Sequence, residues 1–266
     1  MRYYTIGDIH GAYQELCWIL EEIEKDVSNH HGEYKIIFMG DYVDRGFQSK
    51  QVLELLSSLD QDRHIFLLGN HDSMFLDWLG IDGHLAGQYF YMNGGGTTVL
   101  SYVADTILPH LSDVSTGRHK VPQVDLPDCD GLIELVPQSH ITFLQSCLSY
   151  YQTDTHIWVH AGLNPFIKLE DNTLWDFLWV GDNRNAFFSR MKQVRYPKLM
   201  IHAHTMVEKN ATKNHIKDSN RINVDTGAGR ANWLTCCVVD TDIDPNDYRL
   251  IQVKYDRGNK RITHSL

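Results

Sequence analysis

Apolar residues fall into two rhythms at the start of the chain. Tyr3, Tyr4, Thr5 and Ile6 form a short aromatic and β-branched run, the composition of a strand. Leu16, Ile19, Leu20 and Ile23 then recur at i, i+3, i+4 and i+7, one face of a helix. Residues 35–39 (KIIFM) read as a second strand. Val52, Leu55, Leu56 and Leu59 mark a second helical face, and residues 64–68 (HIFLL) a third strand. Alternation of this kind predicts parallel strands joined by crossover helices.

From about 80 to 155 the rhythm changes, which predicts a partly helical inserted region within one domain spanning residues 1–266. The NGGGTT run (93–98) and the stretch from Ser112 to Asp130, with Pro122 and Pro127, read as loops. Within HITFLQSCLSYY (140–151), Phe143, Leu144, Cys147 and Leu148 share a helical face. Further strands are expected at HIWV (156–159), KLMI (198–201), RINV (221–224), LTCCVV (234–239) and YRLIQVKY (248–255). The last two, joined across DIDPND, predict an antiparallel hairpin.

Composition narrows the function. The formal net charge of −10 disfavours binding to polyanions, which argues against a general nucleic-acid role. A phosphate substrate remains compatible, because bound cations invert a local field. Five irregularly spaced cysteines (Cys17, Cys129, Cys147, Cys236, Cys237) contain no C-x-x-C pair, which argues against a disulfide framework or a structural zinc site. No run approaches the length of a membrane span or a signal peptide, so a cytoplasmic protein without a membrane partner is expected.

Chemistry collects where the predicted strands end. GDIHG (7–11), GDYVDRG (40–46), GNHD (69–72), HAG (160–162) and HAHT (202–205) each follow an apolar run. Ligands of open α/β sheets bind beyond the carboxyl ends of strands. Taken singly, an Asp there serves as a turn or cap and a His as an ordinary hydrogen-bonding side chain. Five such ends in order call for a common explanation. Asp, His and Asn donors suit Mn, Fe or Zn, and at two-metal sites a carboxylate must bridge. Asp41 is the candidate, since its strand is expected between those carrying the other donors. NGGGTT lacks the G-K-[ST] ending of a P-loop and is expected to line or support the pocket.

The set GDIHG, GDYVDRG, GNHD, VHAG and AHT resembles the PPP family of metallophosphatases, from Ile6 to Gly229. That family includes serine/threonine protein phosphatases and symmetrical diadenosine tetraphosphate hydrolases. FLDWL (75–79), NGGGTTVLSY (93–102), SHITFL (139–144) and VHAGLNPFIKLED (159–171) are similar to its bacterial protein-phosphatase-like branch. The resemblance implies an α/β fold, a calcineurin-like metallophosphoesterase sandwich of two mixed β-sheets flanked by helices, with a dinuclear metal site at strand ends. It implies that Asp8 and His10 hold one divalent ion, that Asn70, His160 and His204 hold another, and that Asp41 bridges them, with Mn expected and Fe or Zn as alternatives. It further implies His71 as general acid, Asp44 as its orienting partner and Arg45 as a clamp on the phosphoryl oxygens.

Two departures bear on this. Gly181 stands where the bacterial branch often has an arginine, so the second phosphate contact is carried to Arg184, with Arg190, Arg195 and Arg230 as rivals. The proline that often follows DRG is replaced by Phe47, a change expected to affect loop geometry alone. The expected activity is phosphomonoester hydrolysis, foremost as a serine/threonine phosphoprotein phosphatase, by direct in-line attack of a metal-bridging hydroxide. The partner would be a phosphorylated protein or a small phosphoester. The alternatives are a symmetrical dinucleoside polyphosphate hydrolase and, more remotely, a non-catalytic phosphate-binding protein. No C-x5-R context surrounds Cys129 or Cys147, which disfavours a thiol nucleophile.

Overall fold

Strand and helix alternate through β1 (Arg2–Ile6), α1 (Tyr13–Val27), β2 (Tyr34–Phe38), α2 (Ser49–Ser57), β3 (His64–Phe66) and α3 (Asn70–Trp78). The computed structural model describes residues 1–81, 87–107, 127–180, 197–208, 220–241, 247–255 and 261–265. Helices α4 (Gly95–Ile107), α5 (Cys129–Ile133) and α6 (Gln138–Ser146) follow, then β4 (Tyr150–Gln152), β5 (His156–Val159) and α7 (Leu174–Trp179). The rest is β6 (Leu199–His202), β7 (Arg221–Asn223), β8 (Leu234–Asp240), β9 (Tyr248–Tyr255) and β10 (Arg261–Ser265).

One sheet has the order β10-β9-β8-β1-β2-β3 and the other β4-β5-β6-β7. β1, β2 and β3 are parallel, as are β5, β6 and β7, while β8, β9, β10 and β4 join antiparallel. Both sheets are therefore mixed, and β2 lies between β1 and β3. Alternation along each strand sorts the core. Tyr3, Ile37 and Ile65 meet Trp158, Ile201 and Ile222 of the second sheet, so the sheets pack face to face. Tyr4, Ile6, Ile36 and Phe38 point the other way, onto Leu16, Ile19 and Ile23 of α1 and Val52 and Leu56 of α2.

Several expectations shift. The buried face of α2 is Val52, Leu53 and Leu56, with Leu55 and Leu59 only partly buried. Gly95 opens α4, so NGGGTT is a turn into a helix rather than a loop. Residues 129–133 are helical, with the Asp128 side chain accepting from the Gly131 N–H at 3.0 Å; residues 112–126 lie outside the described set. The helix expected through 151 stops at Ser146, because the Leu148 N–H donates to Phe66 O (2.8 Å) and the Leu68 N–H donates to Leu148 O (2.9 Å). That pairing peels the chain off α6 and feeds it into β4. The β8–β9 hairpin pairs as expected, and residues 242–246 of its turn lie outside the described set. Among the described residues no helix is long and apolar enough to cross a membrane.

Candidate metal centre

The loops after β1 and β2 are tied together by their backbones. The Asp41 carbonyl accepts the N–H of Ile9 (3.1 Å) and of His10 (2.8 Å), and the Tyr42 carbonyl that of Gly11 (2.9 Å). His10, Asp41, Asp44, Arg45 and His204 all adopt positive φ, between 47° and 72°. Residues other than Gly rarely do so, Asn, Asp and His tolerating it best, at about 1–3 kcal/mol each, and such residues cluster at functional sites. Asp72, in the first turn of α3, braces the second loop. Its Oδ2 accepts the N–H of Asp41 (2.7 Å) and Gly69 (3.0 Å), and its Oδ1 that of Tyr42 (2.9 Å).

Donor atoms converge on Asp41. Asp41 Oδ2 lies 3.3 Å from His10 Nε2 and 4.0 Å from His71 Nε2, while Asp41 Oδ1 lies 3.4 Å from His160 Nε2. Asp8 Oδ2 is 3.7 Å from His10 Nε2. Asn70 Oδ1 sits 3.0 Å from His160 Nε2 and 2.9 Å from His204 Nδ1. Two groups thus form, His10–Asp41–His71 and Asp41–His160–His204, sharing Asp41. The structure brings all six residues expected as metal ligands to one place, and His71, expected as an acid, joins the first group.

His10 and His160 are pinned from behind, Nδ1 donating to Val43 O (2.8 Å) and to Met39 O (2.7 Å) respectively. With the proton on Nδ1, each Nε2 presents a lone pair inward. Burial lowers both rings, so the neutral form is favoured; burial and the His160 ring lower His204 to about 3. Burial acts to raise Asp41, but His160, His71, His10 and Arg45 outweigh it and hold this carboxyl below its usual range. Burial followed by the charge of Asp225 raises Asp8, and burial pushes Asp225 up to about 6.

These residues fit divalent cations. Oδ2 of Asp8, Asp41 and Asp225 is buried with no hydrogen-bond partner. Lone pairs of Asn70, His160 and Asp41 face one another with no proton between them, an arrangement that repels itself until a cation sits among them. The donors are carboxylate, amide and imidazole, without thiolate.

Beside the donors stand the residues expected to act on substrate. His71 Nδ1 donates to Asp44 Oδ2 (2.6 Å), and Asp44 Oδ1 accepts from Thr98 Oγ1 (2.7 Å). Arg45 donates from Nη2 to His71 Nε2 (2.9 Å) and from Nη1 to His10 Nε2. Its side chain runs between two glycines. A Cβ on Gly94, at φ +110°, would fall 3.3 Å from Arg45 Cγ, and one on Gly229 would fall 2.3 Å from His10 Cβ. Arg184, Arg190 and Arg195 lie outside the described residues. Arg230 is described; it is exposed, and the charge of Arg45 and then burial lower its pKa.

A family model described as calcineurin-like phosphoesterase matches residues 1–208. The chain belongs to the calcineurin-like phosphoesterases. It is accordingly a hydrolase of phosphoric esters, and the motif resemblance to metallophosphatases holds, as does the sandwich of two mixed sheets. This phosphoesterase is similar to two curated proteins named bis(5′-nucleosyl)-tetraphosphatase PrpE, asymmetrical. The one from Anoxybacillus flavithermus (strain DSM 21510 / WK1) is 38% identical over 86 residues, covering 30% of this chain and 35% of that one. The one from Bacillus cereus (strain Q1) is 25% identical over 253 residues, covering 88% and 89%. A crystal structure provisionally described as a diadenosine tetraphosphatase shares the fold at a TM-score of 0.54 and 16% identity, covering 99% of this chain and 93% of that one.

Sequence reasoning passed over Asp72, Asp225 and Thr98. Asp72 was visible as an acid three residues after Gly69, where a helix cap is expected. Asp225 was visible too, since NVDTG repeats the strand-then-Asp-then-Gly pattern at the end of β7. Nothing in the sequence marked Thr98 as the partner of Asp44.

Proposed function

We propose that this phosphoesterase hydrolyses dinucleoside tetraphosphates asymmetrically, releasing a nucleoside triphosphate and a nucleoside monophosphate. The observation that carries the reading is likeness along 88% of the chain to a relative named for that reaction. It supports a change of order among the expectations, with the phosphoprotein phosphatase second. It also favours asymmetrical over symmetrical cleavage.

In this reading Asp8, His10 and Asp41 hold one divalent ion, and Asp41, Asn70, His160 and His204 a second, with Mn preferred and Fe or Zn as alternatives. When bound, such a pair offsets charge on phosphoryl oxygens and acidifies a water. The chain's own residues do the rest. Arg45, a planar fork with its side chain threaded past Gly94 and Gly229, turns from the ring nitrogens of His10 and His71 to the phosphoryl oxygens. Asp44 holds His71 by its Nδ1 proton, so once Arg45 has turned away Nε2 is free to take up a proton and, as the imidazolium, deliver it to the leaving oxygen. Arg184 or Arg230 gives the second contact to phosphate oxygens. A purely phosphate-binding protein has no use for the His71–Asp44 pair.

The test supplies Mn-loaded protein with diadenosine tetraphosphate, a phosphoserine peptide and a phosphotyrosine peptide, and separates the nucleotide products by ion exchange. ATP with AMP is the expected pair. Two molecules of ADP would restore symmetrical cleavage, and turnover confined to the peptides would restore the phosphoprotein phosphatase.

A further inference from the structure

Helix α7 places an aromatic surface at the rim of the metal centre. Its start is closed by a capping box: the Thr173 N–H donates to Asp176 Oδ2 at 2.8 Å, and the Asp176 N–H donates to Thr173 Oγ1 at 3.3 Å. Phe177 and Leu178 face inward and are buried. The Phe177 carbonyl accepts the N–H of Ala161, one residue past His160, at 2.8 Å. The helix is therefore fastened to the loop that carries a metal-site histidine.

Trp175 and Trp179, one turn apart, point the other way. Their rings stack at 5.3 Å between centroids and 17° between planes. Trp179 meets the His204 ring edge-on at 5.9 Å and 77°. Trp175 is 53% exposed, and among the described residues Trp179 is the ring that stacks on it, which leaves its other face free of ring contacts within that set. Two parallel rings with a free outer face are shaped to accept a third planar ring.

We propose that the open face of Trp175 is the platform on which a nucleobase of the substrate stacks while the reacting phosphate lies among Asp41, His160 and His204. The inference rests on the dinucleotide reading above and names the residue that would give it specificity. Reach favours a base over other aromatic groups. A phosphotyrosine ring is bonded through one oxygen to the reacting phosphorus and so stays close to the donor groups. A base is set off by a ribose and, in the triphosphate half, by further phosphates as well, which gives it the reach to stack farther out, on Trp175. Phosphoserine and phosphothreonine have no ring to stack. Because every base has a π-face, the platform would not distinguish adenine from guanine.

The experiment measures calorimetric binding of ATP, a product under that reading, and of inorganic tripolyphosphate to Mn-loaded wild type, Trp175→Ala and Trp175→Phe, with circular dichroism as the check on folding. ATP should bind wild type more tightly than tripolyphosphate. Trp175→Ala should weaken ATP binding by about tenfold and leave tripolyphosphate unchanged, and Trp175→Phe should recover most of the loss. Equal affinities for the two ligands in wild type, or equal losses for both in Trp175→Ala, would overturn the platform. Failure of wild type to cleave diadenosine tetraphosphate would instead remove the dinucleotide reading, and the calorimetric comparison would still decide whether the indole takes a base.

Discussion

The inner and outer histidines of the metal centre are held differently. His10 and His160 are buried and pinned at Nδ1 by the carbonyls of Val43 and Met39, on either side of the turn that follows β2. His204 is half-buried, presents Nδ1 to Asn70, and has the edge contact to Trp179 as its neighbour on the open side. The inner pair is fixed by the backbone that carries Asp41; the outer residue is fixed by side chains at the rim. A rigid floor suits the placing of ions, and a rim built from side chains suits contact with substrate.

Asp41→Asn should have the largest effect, because both donor groups use its carboxylate. Metal analysis should show both ions weakened and turnover lowered by more than the roughly 100-fold expected of a change to a residue that only supports a ligand. Retention of two tightly bound ions would mean that the floor does not depend on Asp41.

His71→Asn comes next and should lower kcat by about 10²–10⁴-fold while metal content holds. The loss should shrink for p-nitrophenyl phosphate, whose leaving group needs no proton. Loss of an ion in this variant would move His71 from acid to ligand, a role its place in the His10–Asp41–His71 group also allows.

A paired substitution tests the floor against the rim directly. His160→Ala should weaken metal binding more than His204→Ala, by about 10-fold, since only the first abandons a ligand braced by the backbone. Equal losses by titration calorimetry would erase the distinction.

The smallest effect concerns pH. Burial pushes Asp225 up to about 6 from an ordinary 3.8, so the folded, metal-free protein binds more protons than the unfolded chain between those values. Asp225's contribution to stability should therefore fall as pH rises through that window, by up to about 3 kcal/mol. Asp225→Asn should flatten the profile in thermal melts of metal-free protein, and Mn should flatten it in wild type. A flat profile for metal-free wild type would show that Asp225 meets no such penalty.

Much of the floor was legible because it sits where patterns change. Ile36, Ile37 and Phe38 run into Gly40 and Asp41, and the switch from apolar to acidic announces both a strand and its end. Contacts made across the fold were less legible. Leu148 looked helical beside Leu144, and only a backbone pairing with Phe66 and Leu68, distant in sequence, takes it out of the helix. Thr98 was hidden for the same reason, since its partner Asp44 lies across the fold. Asp72 works on backbone amides rather than on substrate, and so belongs to no catalytic pattern.

Positive φ at Asp44 (72°) and Arg45 (67°) sets two selections against each other. Glycine relieves the backbone at such positions, so a library screened only for folded protein should accumulate Gly there. A library screened for turnover should retain Asp and Arg. Left without use, this site would drift toward a sturdier and inactive chain, and Asp44 and Arg45 would be among the first residues to record it.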